Sequence, residues 1–259
     1  MNLRRWLGPL GRYRPGFFRR DMASGFVNCD RMALPGWLRL PLLQSPEEKL
    51  LCSLPLAGKV VYDIGAHRGS YALFFSRKVG ATGNVVAFEP APRNFEKLAR
   101  NLALNHILNV RALELALGAE CEVRDVFALP GMSTTASLAT DAHTPFRRRV
   151  GRAQVERLDD LVNRLELPPP DFVKIDVEGF ELDVLRGACG TLARFGPDLM
   201  VEIHGASLAL KVKRVAAISE LLRPLGYRLI HTESGRDVHP AANGVAAGHL
   251  FGRRIAVPG

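Results

Sequence analysis

Long apolar runs are missing from this chain. Nowhere do about eighteen consecutive apolar residues occur, so a membrane-spanning helix is not expected. A secretory leader is not expected either, because Gly8, Pro9, Gly11, Arg12 and Arg14 interrupt the segment after Met-Asn-Leu-Arg-Arg before an apolar stretch can form. Cysteine is scarce and scattered: Cys29, Cys52, Cys121 and Cys189 make no C-x-x-C pair. That argues against a zinc cluster or a disulfide framework and for reduced packing residues. Internal repeats are lacking, so a solenoid is not expected. A soluble, cytoplasmic protein is the expectation.

What remains is a chain of 259 residues with 47% hydrophobic content, enough for one α/β domain with its own core. The net charge of +9 is carried mainly by arginine and is concentrated early. Arg4, Arg5, Arg12, Arg14, Arg19, Arg20, Arg31 and Arg39 face only Asp21 and Asp30 in residues 1–45. This Arg/Gly/Pro-rich stretch lacks sustained periodicity and reads as an N-terminal extension, with residues 46–259 as the domain. A basic extension of this kind is compatible with peripheral contact at an anionic membrane surface or with recruitment to nucleic acid. A solvated tail is the simpler reading.

The domain opens with Ser45-Pro46-Glu47-Glu48, a helix start with proline at its first position and carboxylates in its first turn. Val60 to Ile64 is a short apolar run ending at Gly65, as in a buried parallel strand. Helix is predicted over Ser70–Val79, strand over Asn84–Phe88, helix from Pro92 to about Asn105, and a third strand over Val110–Leu117. This alternation implies a parallel sheet with right-handed crossovers. Farther on, Val123–Phe127 reads as an extra strand and Gly131–Ser137 as a loop, either a lid over an acceptor or inert surface. A helix over Leu158–Leu165 and a strand over Phe172–Asp176 follow. Next come a helix over Glu181–Ala188, a strand over Leu199–Ile203, a helix near Val212–Leu222, and a closing antiparallel pair at Tyr227–His231 and Ala247–Phe251.

The first strand runs into Asp63-Ile64-Gly65-Ala66-His67-Arg68-Gly69-Ser70, where open α/β sheets bind ligands. A dinucleotide enzyme wants G-x-G-x-x-G there to seat a pyrophosphate. This loop has one glycine fewer and places Asp63 directly ahead, which repels phosphate and suits an ammonium. S-adenosyl-L-methionine carries an ammonium and a sulfonium and no phosphate, so the loop favours it over NAD. Glu89, followed by Pro90, ends the second strand where an acidic side chain can bind both ribose hydroxyls. Ala116-Leu117, at the end of the third, is where an adenine would lie. The candidate cofactor residues are therefore Asp63, Gly65, Ala66, His67, Gly69, Ser70, Glu89, Pro90, Ala116 and Leu117.

These stretches resemble the FkbM methyltransferase family. The resemblance rests on Val60 through Tyr71, on Val85-Val86-Ala87-Phe88-Glu89-Pro90, and on Asn101 through Asn105. It continues in Val155 through Leu161, in Phe172-Val173-Lys174-Ile175-Asp176-Val177-Glu178-Gly179-Phe180-Glu181, in Leu185 through Ala188, and in Val201-Glu202-Ile203-His204. His67 departs from the small polar residue expected at its position. What the resemblance implies is a Rossmann-like class I methyltransferase fold with a mostly parallel seven-stranded sheet and helices on both faces. It further implies S-adenosylmethionine as donor, and O-methylation of a small molecule or carbohydrate.

Asp176, Glu178, Glu202 and His204 are the candidate catalytic residues, since they fall at the ends of the fourth and fifth strands beside the expected sulfonium. His204 is the candidate general base and Asp176 an orienting group. Asp176, Glu202 and His204 would also suit a divalent metal, but a hydrogen-bonded acidic cluster without an ion is the preferred reading. For both Glu178 and Glu181 an alternative reading is decoration of the first turn of the following helix, and His231 and His239 are read as surface residues. Amino-group methylation of nucleic-acid bases would place an Asn/Asp-Pro-Pro-aromatic tetrapeptide where Asp176-Val177-Glu178-Gly179 stands, which argues against that alternative. A non-catalytic adenosyl-binding module is the remaining one.

Overall fold

In the computed structural model, residues 17–21, 26–30, 45–129, 132–138, 148–239 and 248–255 are described. Most of the basic extension, Gly131 and Ala247 lie outside them. Within the extension, β1 (Phe17–Asp21) and β2 (Phe26–Asp30) form an antiparallel hairpin, regular structure that the composition did not announce.

Helix α1 (Pro46–Ser53) starts in a reciprocal cap. Ser45 Oγ accepts from the Glu48 backbone N–H, and Glu48 Oε2 accepts from that of Ser45. The alternating part follows in the predicted order: β3 (Val60–Ile64), α2 (Ser70–Val79), β4 (Asn84–Phe88), α3 (Pro92–Leu104) and β5 (Val110–Leu113). The predicted third strand does not run to Leu117. The chain leaves the sheet after Leu113, and β6 (Ala116–Leu117) pairs elsewhere.

Three further strands accompany β6: β7 (Glu122–Leu129), β8 (Met132–Ser137) and β9 (Arg148–Glu156), in the order β6-β9-β7-β8. The expected loop at Gly131–Ser137 is thus a strand over Met132–Ser137, held by antiparallel pairing to β7. After α4 (Leu158–Arg164) and β10 (Phe172–Ile175), the helical segment divides into α5 (Glu181–Arg186) and an unforeseen α6 (Cys189–Phe195). The start of α6 is capped from a distance, by Asp159 accepting from the backbone N–H groups of Gly190 and Thr191. The chain then forms β11 (Asp198–Ile203), α7 (Leu208–Leu222), β12 (Tyr227–His231), β13 (Asp237–Val238) and β14 (Gly248–Arg254). Helix α7 begins four residues before the predicted Val212, where Ser207 caps it.

The main sheet has the order β13-β12-β14-β11-β10-β3-β4-β5. It holds the seven strands the resemblance implied plus a two-residue edge, β13. Strands β11, β10, β3, β4 and β5 are mutually parallel, and β14 is antiparallel to both its neighbours. Chain order reverses between β3 and β10, which opens a crevice at their carboxyl ends.

Alternation along each strand divides the core between two faces. Val61, Val85, Phe172, Met200 and Phe251 pack with Phe75 of α2 and Leu98 of α3. Tyr62, Val86, Val173, Leu199 and Leu250 pack with Leu158 of α4, Val184 of α5 and Ile218 of α7. Helices therefore cover both faces. No helix among the described residues is long and apolar enough to cross a membrane.

Leu158 is fully buried whereas Leu108 is 96% exposed. Leu158→Ala should cost about 2–5 kcal/mol in a urea titration, and Leu108→Ala should stay within about 0.5 kcal/mol of the parent. Equal losses would mean that α4 is not seated on the sheet as described.

Candidate functional site

The turn after β3 is shaped by two glycines in left-handed backbone. At Gly65 (φ +87°) an added Cβ would lie 1.8 Å from the Asp176 carbonyl oxygen, so only glycine lets the turn approach the end of β10. Gly69 (φ +86°) opens α2, and a Cβ there would meet Leu98 at 2.5 Å. Between them His67 also takes a left-handed conformation (φ +52°). Histidine, like asparagine, is enriched there, which explains how it can replace the expected small polar residue.

Glu89 organises the floor of a cavity at the crevice. It is 4% exposed and accepts from the backbone N–H groups of His67 (2.8 Å) and Ala91 (2.9 Å), with the Asn94 amide at 3.4 Å. Burial pushes its carboxyl up to about 7, against those hydrogen bonds, and Asp63 nearby adds to the rise. Gly65, His67, Glu89, Pro90, Ala116 and Leu117 line the cavity, as do Asp176 and Glu178 on the opposite wall. Val126 of β7 and Leu138 after β8 add apolar lining, so the small sheet forms one side. Ala116 and Leu117 thus reach the site, but from β6 rather than from the end of the third strand.

Four of the candidate cofactor residues stand behind this wall. Ala66 and Gly69 are buried and Ser70 begins α2. Asp63 is fully enclosed, so it does not open on the cavity as a partner for a ligand's ammonium. The ammonium nearest in register is that of Lys174, directly across β10. Burial raises Asp63 to about 6, opposed mainly by Lys174. The Ala72 N–H gives a slight offset, and neither Asp63 oxygen has a well-formed hydrogen bond.

Lys174 was not singled out from the sequence, although a lysine inside the apolar run Phe172–Ile175 is itself a signal. It is 1% exposed, donates to Asp176 Oδ2 at 2.9 Å, and sits 4.3 Å from the Tyr71 ring centroid. Burial alone would lower its pKa, but Asp176, Asp63 and Glu47 raise it above the ordinary value.

One level higher on the same face, the candidate catalytic residues converge. His204 Nε2 lies 3.4 Å from Glu202 Oε1 and 3.8 Å from both Asp176 Oδ1 and Glu178 Oε2. His204 Nδ1 bonds Glu181 Oε1 at 2.8 Å. Glu181 is completely buried and also accepts from the Gly179 N–H, so it is part of the site and not decoration of a helix start. Glu178 is held at φ +53°, a conformation that costs free energy for a side-chain-bearing residue.

On the far side, Glu202 faces His249 (3.6 Å), which pairs with Glu47 of α1 (3.2 Å) and Glu233 (2.7 Å). Glu47 and His249 were not foreseen. His231 lies 2.9 Å from Glu233, so it belongs to the rim of this network and not to open surface, whereas His239 is exposed.

This density of acid sets the protonation states. Burial disfavours the His204 cation, yet Glu181 and Glu202 raise its pKa to about 10, and Glu202 and Glu47 take His249 to about 11. Held protonated by these carboxylates, His204 is less suited to the general-base role expected of it than a carboxylate on the cavity wall. Glu178 is raised by burial and by its carboxylate neighbours, with His204 opposing. It is therefore a better proton acceptor than an ordinary glutamate.

Among the described residues, one group of three metal-ligating side chains converges, Asp176, Glu202 and His204. Cys52, Cys121 and Cys189 are free; Cys121 is exposed and so is not the packing residue expected.

Comparison with known proteins bears on the family and the fold. Residues 63–229, more than half of the chain, match the model of the methyltransferase FkbM domain. The hexuronic acid methyltransferase AglP of Haloferax volcanii is 31% identical over 148 residues, covering 56% of this chain and 56% of that protein. The 31-O-demethyl-FK506 methyltransferase FkbM of Streptomyces tacrolimicus is 27% identical over 222 residues, covering 74% of this chain and 82% of the other. Several curated relatives are matched over only about three fifths of their own length. The solved structure of a methyltransferase FkbM from Methylobacillus flagellatus KT shares the fold, with a TM-score of 0.50 at 17% identity over 80% of this chain and 50% of that one.

Glu89 gives a pH-dependent test. With a carboxyl raised from 4.5 to about 7, the unliganded folded state holds a proton that the unfolded chain has lost. The stability it contributes is complete below about pH 4.5 and is lost as pH rises through 7. Glu89→Gln cannot ionise, so between pH 4.5 and 8 its stability should shift in its favour relative to the parent by on the order of 3 kcal/mol. Thermal melts against pH check this, and a constant difference would refute a buried, proton-holding Glu89.

Proposed function

As the chain belongs to the FkbM methyltransferase family, we propose that it transfers a methyl group from S-adenosylmethionine to an oxygen, a hydroxyl of a small molecule or sugar. The observation that carries this reading is the cavity at the strand-order reversal, with Glu89 on one wall and Asp176 and Glu178 on the other. The donor fits the residues present. A buried carboxylate held by backbone N–H groups suits a ribose diol, and Ala116, Leu117, Val126 and Phe180 offer apolar surface to a purine. Among the described residues Gly65 is the one glycine on the cavity and no arginine lines it, which disfavours a dinucleotide. One relative is named for hexuronic acid and another for an O-demethyl acceptor, which supports an oxygen nucleophile.

Bound there, the sulfonium donor supplies a methyl group already activated for in-line displacement. The protein's task is to align the acceptor and remove its proton, since an alcohol is a poor nucleophile while protonated. Glu178, half-buried on the cavity wall with a raised pKa, takes that proton as the oxygen–carbon bond forms and the carbon–sulfur bond breaks. Asp176, fixed by Lys174, orients the acceptor. The His204 cation, backed by Glu181, offsets the charge that Glu178 and Asp176 concentrate.

Calorimetric titration with S-adenosylmethionine, S-adenosylhomocysteine and NAD tests the donor half. Both adenosyl compounds should bind and NAD should not, and Glu89→Gln should weaken adenosyl binding by at least about tenfold. In a transfer assay on uronic acids and hydroxylated polyketides, Glu178→Gln should lower kcat by about 10²–10⁴-fold while leaving donor affinity within about threefold. Absence of adenosyl binding by the folded parent protein would overturn the reading.

A further inference from the structure

The cavity is acidic, and the surface beside it is basic. Glu89, Asp176 and Glu178 line the cavity, and among the described residues neither a lysine nor an arginine does. Next to it a groove runs over the small sheet, lined by Val123, Arg124, Asp125 and Phe127 of β7, by Leu138, and by Arg152 of β9. Two contacts join the groove to the cavity. Leu138 lines both, and the Arg124 guanidinium lies 4.9 Å from the ring centroid of Phe180, which lines the cavity.

The groove carries more positive charge than its own carboxylates engage. Arg124, Arg148, Arg149 and Arg152 stand on β7 and β9 with Glu122 and Asp125, while Glu156 is taken up by Arg164 of α4. Arg124 gives its Nε to Glu122 at 2.7 Å. Arg152 and Arg149 share one oxygen, Asp125 Oδ1, at 3.2 and 3.4 Å. Strand pairing sets this up, since Asp125 stands directly opposite Arg152.

A guanidinium has five N–H donors, and these pairs use few of them. Among the described residues the terminal amino groups of Arg124 and Arg152 make no hydrogen bond. Such groups grip an oxyanion in a two-pronged contact. The Phe180 ring supports Arg124 from one side, so its fork is held in place before a ligand arrives. The pair between Arg152 and Asp125 is exposed, and exposed ion pairs are weak, so a ligand can take Arg152 over at little cost.

We infer that Arg124 and Arg152 seat an anionic group of the methyl acceptor, a carboxylate or a phosphate, while the acceptor's hydroxyl enters the cavity. The anion site follows from the side chains, and its service to an acceptor rests on the methyltransferase reading above. The separation of charge orients the acceptor, because the acid of the cavity repels the oxyanion and the groove attracts it. Asp125 competes with the acceptor for Arg152 and so tempers its affinity.

The test is ligand-observed nuclear magnetic resonance titration of the full chain, with and without S-adenosylhomocysteine, whose own binding is measured on the same samples. Trigalacturonate against its neutral trimethyl ester forms the carboxylate arm, and maltotriose with and without a terminal phosphate forms the phosphate arm. At least one anionic probe should bind about tenfold or more tightly than its neutral counterpart, and the arm that does so identifies the oxyanion. The double variant Arg124→Gln/Arg152→Gln should abolish that preference. Arg223→Gln, an exposed arginine between α7 and β12, should leave it unchanged. Asp125→Asn should strengthen anion binding, a gain that misfolding cannot produce. Equal binding of charged and neutral probes, no binding of any, or a preference that survives the double variant overturns the inference. So does tighter binding of an oligouridylate than of either anionic sugar. Adenosyl binding without an anion preference removes the groove and leaves the methyltransferase reading standing. An anion preference without adenosyl binding keeps the groove and removes its part in methyl transfer.

Discussion

The buried ammonium of Lys174 is the interaction on which the carboxyl end of the sheet depends. Three carboxylates, Asp63, Asp176 and Glu47, act on it, and Asp63 and Lys174 are themselves almost without exposure. Charges sealed at this depth survive only when paired, and removing one partner strands the others. Lys174 also stands in register with Asp63 across β3 and β10. A slip of one residue between these strands would turn the ammonium to the opposite face and leave Asp63 facing an apolar side chain. The same charge pair therefore fixes strand register, places Asp176, and sets the level at which the cavity begins.

Above that level the site is built by alternation. Residues two apart on a strand share a face, so Lys174 on β10 and Asp176 just after it, Met200 and Glu202 on β11, and Phe251 and His249 on β14 pass from apolar or charge-sealing to functional in one step. Helices α1 and α2 cover the lower tier, while the upper tier projects at the crevice where the strand order reverses. Much of the acidity comes from segments that follow strands, where side chains escape the alternation. Glu178 in its strained turn and Glu181 at the head of α5 both reach His204 from there.

Much of this was legible in the chain. Val60–Ile64 and Phe172–Ile175 announce buried strands, the spacing of Tyr71, Phe74 and Phe75 announces α2, and carboxylates at strand ends mark Glu89 and Asp176. The misses share a cause, which is pairing between residues distant in sequence. Strand β6 leaves the main sheet because β9, some forty residues on, offers it a partner. The polar stretch Met132–Ser137 is a strand through its pairing with β7. Helix α6 has no capping residue of its own and borrows Asp159 from α4. Glu47 and His249 escaped notice for the same reason, since each is ordinary until the other stands beside it. His204 was recognised by position, but the carboxylates that raise its pKa come from separate segments and do not show in the sequence.

The pairing of Glu47 in α1 with His249 in β14 also bears on how the domain is made. Glu47 lies near the start of residues 46–259, and His249 some two hundred residues later. Strand β14 then inserts between β11 and β12, which are already synthesised. Until it arrives, the sheet has an open slot, Glu202 has no cation on one side, and the acid of α1 has lost its principal counter-charge. The face that carries the chemistry is therefore complete only with this late strand. Completion of the site is thereby tied to β14, the last strand of the main sheet in chain order.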